Sequence, residues 1–352
     1  MICRKQLERA VETEEELLEG YKAAMSEKCI AMIIGAGCTA AAYEDIKLPQ
    51  WSELLNSMLK GTSVAVCAPP PELYLEVADK IEREMKGYFS RRLKNMQGER
   101  GEILSDEVID TWAGRAATIN LREYVKLILG RRIFRESDVP QLKDHGTLKA
   151  AIDVCVQRVR KNQQTIIIMY NFEDTFEFAL SEKGISTKNG NLYVYEYGEC
   201  DLRTVTHALM NCHDGAIELF YVHGKIPFLT GEDSKEQKKI VLSSKGYEEL
   251  SLKRMASANQ AQYITLSSIP CVAIGFSCND SNFKRLRRDL KDVNEKSPQL
   301  YLLKYCSGDC DHCESRNRDK LLSECEILRY QGIETFVLDD KMYPCMIEEM
   351  VR

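Results

Sequence analysis

The stretch that decides the fold is "AMIIGAGCTAAA", residues 31–42. An apolar run leads into Gly35-Ala36-Gly37, and a row of small residues follows it. This pattern is typical of a β-strand that turns tightly into a helix, where glycines let backbone N–H groups approach a phosphate. Ala40 stands where the dinucleotide-binding fingerprint has its third glycine. The loop by itself therefore leaves open whether it binds a nucleotide or only turns the chain.

Segments with strand character alternate with segments of helical periodicity along most of the chain. Strands alternating with helices indicate an α/β fold with a Rossmann-like, doubly wound and mainly parallel sheet. From Pro69 to about Lys161 the pattern is helical almost throughout, which predicts an inserted helical subdomain over about residues 60–161. We expect residues 1–28 to form an N-terminal helix and residues 29–352 to form the domain that carries this insertion. The predicted strands are 29–34, 164–172, 191–197, 216–224, 270–277, 299–306 and 332–339.

Composition and charge narrow the class of protein. The net charge of −6 gives no overall attraction to nucleic acid or to an anionic membrane, so we expect direct binding to neither. No run approaches the roughly 18 apolar residues that a membrane helix needs. The N-terminal segment is charged from its start and lacks the apolar core of a signal peptide. These features predict a cytoplasmic protein, in which the 14 cysteines are mostly reduced thiols.

Polar side chains follow several of the predicted strands. Because ligands of such folds bind at the carboxyl ends of the strands, these residues are candidates for a functional site. Asn171 could cap the next helix or hold a polar ligand. His223 could be a satisfied core residue or a group that transfers protons near neutral pH. Asp280, after a second turn at Gly275-Phe276-Ser277, could be only a helix N-cap.

Taken together, these motifs resemble the sirtuin superfamily, and more closely the sirtuin-like domains of bacterial antiphage defence proteins. Their order and their positions at strand ends both match, and the resemblance covers about residues 29–340. The motifs that carry it are Gly35-Ala36-Gly37, Leu48-Pro49-Gln50-Trp51, Asn171-Phe172-Glu173-Asp174 with Glu177, His223-Gly224, and Gly275-Phe276-Ser277 with Asp280 and Asn282.

The resemblance implies a Rossmann-like domain that binds NAD as its substrate. It implies that Asn171 binds the nicotinamide ribose or the attacking water, and that His223 is the general base. Gly35, Ala36, Gly37 and Thr39 would contact the pyrophosphate, and Gly275 and Ser277 would hold the adenosine ribose. The remaining motif positions expected to bind NAD are Trp51, Phe172, Asp174, Phe276 and Asp280.

Three departures separate this chain from the sirtuins that deacylate proteins. Pro49-Gln50-Trp51-Ser52 replaces their proline followed by Asp-Phe-Arg, and Met169-Tyr170 replaces the Thr-Gln before the asparagine. Residues 225–270, where those enzymes carry a four-cysteine zinc ribbon, contain no cysteine. Hydrolysis of NAD to nicotinamide and ADP-ribose is then the simplest activity. The alternatives are a sirtuin-type deacylase or ADP-ribosyltransferase, and a module that senses NAD or ADP-ribose without cleaving it.

The cysteines near the end of the sequence raise the question of a metal. Cys306, Cys310 and Cys313 have spacings close to those of zinc ligands, and Cys325 could complete the set. The other interpretation is a loop with several free thiols, because a paired second half is missing. We expect no metal to be required for catalysis.

The resemblance also implies how such an activity would be controlled. Depletion of NAD is toxic, so an effector of abortive infection must stay inactive until it is triggered. We expect a homo-oligomer, or a partner such as a HerA-type ATPase. The N-terminal helix is one candidate contact, although it could instead simply cover the sheet.

Overall fold

A computed structural model describes most of the chain. The described residues are 4–40, 42, 48, 51–59, 73–100, 105–133, 143, 146–196, 214–227, 229, 240–244, 246–248, 257–293, 300–305, 315–338 and 342–351.

The centre of the fold is a seven-stranded sheet in which every neighbouring pair of strands is parallel. Its order is β3-β4-β2-β1-β5-β6-β7, with β1 in the middle. This arrangement confirms the predicted α/β, Rossmann-like sheet. The strands are β1 Cys29–Ile34, β2 Gln164–Met169, β3 Leu192–Glu196, β4 Ile217–Tyr221, β5 Cys271–Ile274, β6 Leu300–Tyr305 and β7 Ile333–Leu338.

Helices follow or precede nearly every strand, as the crossover connections of a parallel sheet require. Two of them, α8 and α11, lie in segments where the sequence pattern predicts no helix. The helices are α1 Arg4–Met25, α2 Ala36–Thr39, α3 Trp51–Leu59, α4 Tyr74–Arg100, α5 Asp106–Ile133, α6 Thr147–Arg160, α7 Thr175–Glu182, α8 Ser257–Ser268, α9 Ser281–Val293, α10 Ser315–Tyr330 and α11 Met342–Glu348. None of the described helices is long and apolar enough to cross a membrane.

Both faces of the sheet are covered. Side chains of α1, α6, α7 and α11 pack on one face, and side chains of α8 and α9 pack on the other. The second half of α1 lies over the sheet, where Tyr21 is fully buried and donates a hydrogen bond to the backbone oxygen of Met346. Helix α6 lies within the range predicted for the helical insertion, yet it packs on the sheet with α7 and α11.

A buried arginine ties one face of the sheet to the starts of two strands. Arg158 of α6 is fully buried, and its guanidinium donates to the backbone oxygens of Met25, Glu27, Lys28 and Gln164 and to the hydroxyl of Thr165. Planar guanidinium groups carry five donors, so this side chain can satisfy several carbonyls at once. Arg158 thereby fixes the end of α1 against the starts of β1 and β2.

Helices α3, α4 and α5 form a separate apolar cluster. Leu55, Ile81 and Val125, one from each helix, are fully buried in it. The cluster also contains Phe172 and Ile226, which follow β2 and β4. These three helices, called the helical module below, therefore pack directly against the loops that follow β2 and β4 at the carboxyl edge of the sheet.

Candidate functional site

Four central strands end level with one another, and this register gathers the predicted site residues. Ile34 of β1 pairs with Met169 of β2 and with Ile274 of β5, and Met169 pairs with Tyr221 of β4. Each of these four strands ends at one of these paired residues, and the loop that follows begins within one or two residues of it. As a result, the loops that begin near Gly35, Asn171, His223 and Gly275 emerge side by side.

The two glycine turns pack against each other by backbone contact. The N–H groups of Gly35 and Gly37 donate to the carbonyl oxygens of Ile274 and Gly275. A Cβ atom at Gly275 would lie 2.0 Å from the Cys38 nitrogen, and one at Gly35 would lie 2.5 Å from the Gly275 oxygen. Gly275 also has φ of +59°, a conformation that favours glycine. The close approach of two turns therefore requires these glycines, whatever they bind.

A tyrosine of α11 links the turn at Gly275 to strand β6 through hydrogen bonds. Gly275 donates its N–H to the Tyr343 hydroxyl over 2.8 Å, and that hydroxyl donates to the Leu303 oxygen over 2.8 Å. The predicted contacts of Gly35, Ala36, Gly37 and Gly275 with a nucleotide remain predictions. The geometry does establish that the backbone N–H groups of three of these four residues already have protein acceptors.

Asn171 lies in a small polar cluster with Thr39 and Glu173. Its side-chain nitrogen donates to Thr39 Oγ1 over 3.0 Å and to Glu173 Oε1 over 3.2 Å. All three side chains are buried, with Asn171 the most exposed at 8%. Helix α7 begins only at Thr175, after Asp174. The interpretation of Asn171 as a helix cap is therefore wrong, because its amide nitrogen binds the turn after β1 instead.

Glu173 was quoted as part of a motif but was not predicted to be a site residue. It supplies the carboxyl group of the cluster, and the pKa of this group is shifted. Burial raises its pKa to about 7, and the hydrogen bond from Thr39 opposes this shift. Oε2 of Glu173 is buried without a hydrogen-bond partner among the described residues. The only sequence signal was its place two residues after Asn171, and that spacing does not reveal burial.

His223 is buried in an aromatic setting with 3% of its surface exposed. The ring of Tyr170 meets it edge-on at 5.0 Å, and the ring of Tyr247 meets it at 5.2 Å. Burial lowers the pKa of the imidazole, and Asp280 opposes the shift. The ring is therefore neutral at pH 7. Its Nε2 atom is buried with no hydrogen-bond partner among the described residues.

The two carboxylate oxygens of Asp280 contact three neighbouring groups. Its Oδ1 accepts the N–H of Phe283, which confirms the predicted N-cap of α9. Its Oδ2 accepts the Tyr247 hydroxyl over 2.6 Å and lies 3.5 Å from His223 Nε2. The capping interpretation was therefore right but incomplete, since the same carboxylate also faces the imidazole.

The remaining predicted residues take different positions. Phe276 lies over the Tyr170 ring at 4.4 Å, while Ser277 is exposed and its hydroxyl accepts the Asn279 N–H. Phe172 is buried in the helical cluster, and both carboxylate oxygens of Asp174 accept the N–H of Leu229. Trp51 begins α3, but its side chain lies outside the described part of the structure.

The predicted cysteine ligands are largely outside the described residues. Cys306, Cys310 and Cys313 are not described, and Cys325 is a half-buried thiol of α10. Within the described ranges, no group of three or more His, Cys, Asp or Glu side chains could hold a metal ion.

The arrangement brings an amide and a neutral imidazole to the ends of adjacent strands. Ile226 donates its N–H to the Phe172 oxygen over 2.7 Å, so the segments that carry Asn171 and His223 run side by side. The imidazole can accept a proton, and the oxygen of the Asn171 amide can accept a hydrogen bond from a hydroxyl or a water. Such a pair is suited to activating a hydroxyl group for attack.

Comparison with known families gives a match over part of the chain. The family model for a SIR2-like domain matches residues 165–330, just under half of the chain. The matched range contains Asn171, His223 and Asp280, and it begins after the turn at Gly35. Among curated proteins no significant match was found.

Proposed function

We propose that this chain, which contains a SIR2-like domain, hydrolyses the bond between nicotinamide and ribose in NAD. SIR2-like domains use NAD, and the carboxyl edge of the sheet is where doubly wound folds bind nucleotides. One observation carries the proposal. Asn171 and His223 follow adjacent strands, and the buried Nε2 of His223, 3.5 Å from Oδ2 of Asp280, makes no hydrogen bond within the described residues. A buried polar atom without a partner is costly, so it suggests a bound group that completes it.

The placement of NAD along this edge is the one that the resemblance of the motifs to sirtuins implies. The nicotinamide ribose lies at Asn171 and His223, and the pyrophosphate lies at the turn after β1. Within that turn we assign the N–H of Ala36 to the phosphate, because the N–H groups of Gly35 and Gly37 already donate to carbonyl oxygens. The exposed hydroxyl of Ser277 remains available to the adenosine ribose.

The reaction then needs one bond to break and one to form. The electron pair of the bond between C1′ and nitrogen leaves with nicotinamide, and the oxygen of a water molecule bonds to C1′. His223 takes the proton that this water loses, and burial keeps the imidazole in the neutral form that can do so. Asn171 orients the water or a ribose hydroxyl through its amide oxygen. The products are nicotinamide, ADP-ribose and a proton.

Two features of the sequence favour water over an acyl-lysine as the acceptor. Pro49-Gln50-Trp51-Ser52 and Met169-Tyr170 replace residues that protein-deacylating sirtuins place around the substrate lysine. The Tyr170 ring packs on both His223 and Phe276, so an aromatic side chain lies beside the imidazole. These features support hydrolysis and argue against deacylation.

We further propose that this activity serves antiphage defence by abortive infection and is held back until the protein assembles with itself or with a HerA-type ATPase. The candidates for the assembly contact are exposed apolar side chains on the helical module, since a contiguous patch of such groups would mark an interface. They are Leu73, Tyr88, Met96, Trp112 and Ile119.

The proposed activity can be tested by product analysis. The full-length protein, alone at increasing concentration and together with proteins encoded by neighbouring genes, is incubated with NAD and the products are separated by chromatography. We expect nicotinamide and ADP-ribose in equal amounts, and the same rate when an acetyl-lysine peptide is added. Formation of an acylated ADP-ribose would support the deacylase alternative. Binding of NAD without release of nicotinamide in any assembly would support the sensing alternative.

A further inference from the structure

Glu173 has no role in the reaction as described above, yet its carboxylate contacts the side chain of Asn171, which orients the water in that reaction. Its Oε1 accepts one hydrogen of the Asn171 amide over 3.2 Å, and it also receives a hydrogen bond from the Thr39 hydroxyl. Thr39 in turn accepts the second amide hydrogen of Asn171 over 3.0 Å. The three side chains therefore form a closed ring of hydrogen bonds, which is buried at the ends of β1 and β2.

This ring determines which atom of the amide remains for a ligand. An amide nitrogen has two hydrogens, and here both are used within the protein. An ionised carboxylate can only accept hydrogen bonds, so it holds the nitrogen of the amide toward itself. The amide oxygen of Asn171 is then directed away from Glu173, where it can accept a hydrogen bond from a hydroxyl or a water.

We propose that Glu173 is a positioning residue, whose carboxylate fixes the orientation of the Asn171 amide so that its oxygen faces the substrate. This inference rests on the proposed function for the identity of the substrate. It does not depend on that function for the relation between the two side chains.

The orientation is sensitive to the proton on Glu173. A protonated carboxyl can donate, and it then accommodates the reversed amide, in which the oxygen points to Glu173 and the nitrogen points to the ligand. The reversal requires the proton on Oε1, which is the oxygen that faces the Asn171 amide. Burial raises the pKa of this carboxyl to about 7, so the change falls within the neutral range.

The titratable groups around Glu173 do not cancel this effect. Asp174 follows in the chain and adds negative charge, which favours the protonated form of Glu173. Cys38 from α2 and Tyr221 at the end of β4 also face it, and burial raises the pKa of both groups, which keeps them neutral. The amide is therefore held in its productive orientation above about pH 7 and released below it.

His223 titrates separately. Burial lowers its pKa below the usual 6.5, so the loss of the base occurs at a lower pH than the protonation of Glu173. The rate of nicotinamide release should accordingly fall in two steps as the pH is lowered. The upper step belongs to Glu173 and the lower step to His223.

The test compares E173Q with E182Q, which changes an exposed glutamate of α7. Two readouts are taken from pH 8 to pH 5.5: the rate of nicotinamide release, and the NMR shift of the Asn171 side-chain NH₂, assigned with N171D. In the wild type and in E182Q we expect the shift to titrate with a midpoint near 7 and the rate to fall about tenfold from pH 8 to pH 6. In E173Q the titration of the NH₂ shift and the upper step of the rate profile should both disappear. The rate at pH 8 should already be about tenfold below that of the wild type, because glutamine, like the protonated carboxyl, can donate to the reversed amide.

The two readouts separate the inference from the proposed function. If the Asn171 NH₂ shift does not titrate near pH 7, or titrates equally in E173Q, the positioning role is overturned whatever the activity. If the shift titrates as expected but no nicotinamide is released, the positioning relation stands and the proposed hydrolysis fails. If Glu173 had only a structural role, E173Q would change the unfolding temperature but would keep both the titration of the NH₂ shift and the upper step of the rate profile.

Discussion

Oδ2 of Asp280 lies 3.5 Å from Nε2 of His223, and both side chains are more than nine-tenths buried. Two opposing effects act on the imidazole at this distance: burial lowers its pKa and the carboxylate raises it. The same carboxylate starts α9 through its other oxygen. Asp280 therefore links the position of the proposed base to the framework of the sheet.

The first prediction concerns D280N. Asparagine still caps a helix, so the start of α9 is preserved, but the negative charge beside His223 is lost. Because Asp280 raises the pKa of His223, removing its charge moves the lower step of the pH–rate profile to a more acidic pH. We also expect a fall in rate of about tenfold, since a weaker base accepts a proton less readily. The rate of nicotinamide release from pH 5 to pH 8 measures both effects.

Tyr247→Phe is the control for D280N. It removes the hydroxyl that donates to Asp280 and leaves the carboxylate in place. The lower step should not move to a more acidic pH in this variant. A shift toward higher pH in D280N would contradict the account of His223.

The second prediction concerns Thr39, the third member of the hydrogen-bonded ring around Asn171. Thr39→Val keeps the shape of the side chain but removes its hydroxyl, so Asn171 loses one acceptor and Glu173 loses one donor. Since that hydrogen bond lowers the pKa of Glu173, the upper step of the profile should move to higher pH. The rate at pH 7 should fall about tenfold. Thr39→Ser, which keeps the hydroxyl, should behave like the wild type, and an equal loss in both variants would contradict the prediction.

The third prediction concerns the contact between the two glycine turns. G275A places a Cβ 2.0 Å from the Cys38 nitrogen in a residue with φ of +59°. G190A is the matched control, because Gly190 has φ of +71° but no atom lies within 4 Å of the added Cβ. We expect G190A to lower the free energy of unfolding by about 1 kcal/mol through backbone strain alone. G275A should cost clearly more, and equal losses in denaturant unfolding would show that the turns are not tightly packed.

The fourth prediction concerns the buried arginine. R158M keeps much of the side-chain volume but leaves the carbonyl oxygens around it without their donor. Each unsatisfied buried acceptor costs about 1–3 kcal/mol, so the total loss of stability should be about 3 kcal/mol or more. R160M, at an exposed position of the same helix, is the control and should change stability by less than about 0.5 kcal/mol. Similar unfolding midpoints for the two variants would contradict the role of Arg158.

Most of the sheet could be predicted from the sequence because its strands are apolar runs between turn residues. Gln164–Met169 is buried at every position, and its β-branched residues signal a central strand. Helix α9, Ser281–Val293, could also be predicted, because its apolar residues follow helical spacing. No single segment of the sequence determines the order of the strands, because that order depends on where each crossover connection places the next strand.

Helix α8 was missed because its buried face is largely polar. Asn259, Gln262 and Thr265 are all buried, so polar residues interrupt the short apolar stripe of Ala258, Ala261 and Leu266. Asn259 accepts from Asn282 over 3.1 Å, and Gln262 accepts from the hydroxyl of Tyr170. Only the folded structure brings these polar partners together. Helix α11 was missed for a different reason, since it is short and contains Pro344.

At the candidate site, the motifs located the loops but not the contacts within them. Asn171 and His223 were found because each ends a strand, and the register of the sheet brings their loops together. Glu173 was missed, and Asp280 was assigned to nucleotide binding, although it faces His223 and Tyr247. Burial and side-chain direction determine these relationships, and neither can be read from residue type and spacing.

The central claim is tested most directly by the rate at which nicotinamide is released from NAD by the wild type, N171A and H223A, with R160M as a folded control. The account predicts that the wild type and R160M form nicotinamide and ADP-ribose in equal amounts. N171A and H223A should each be slower by about 100-fold or more while circular dichroism shows that both variants are folded. Nicotinamide release at the wild-type rate by either variant, or none by the wild type in any assembly, would contradict it.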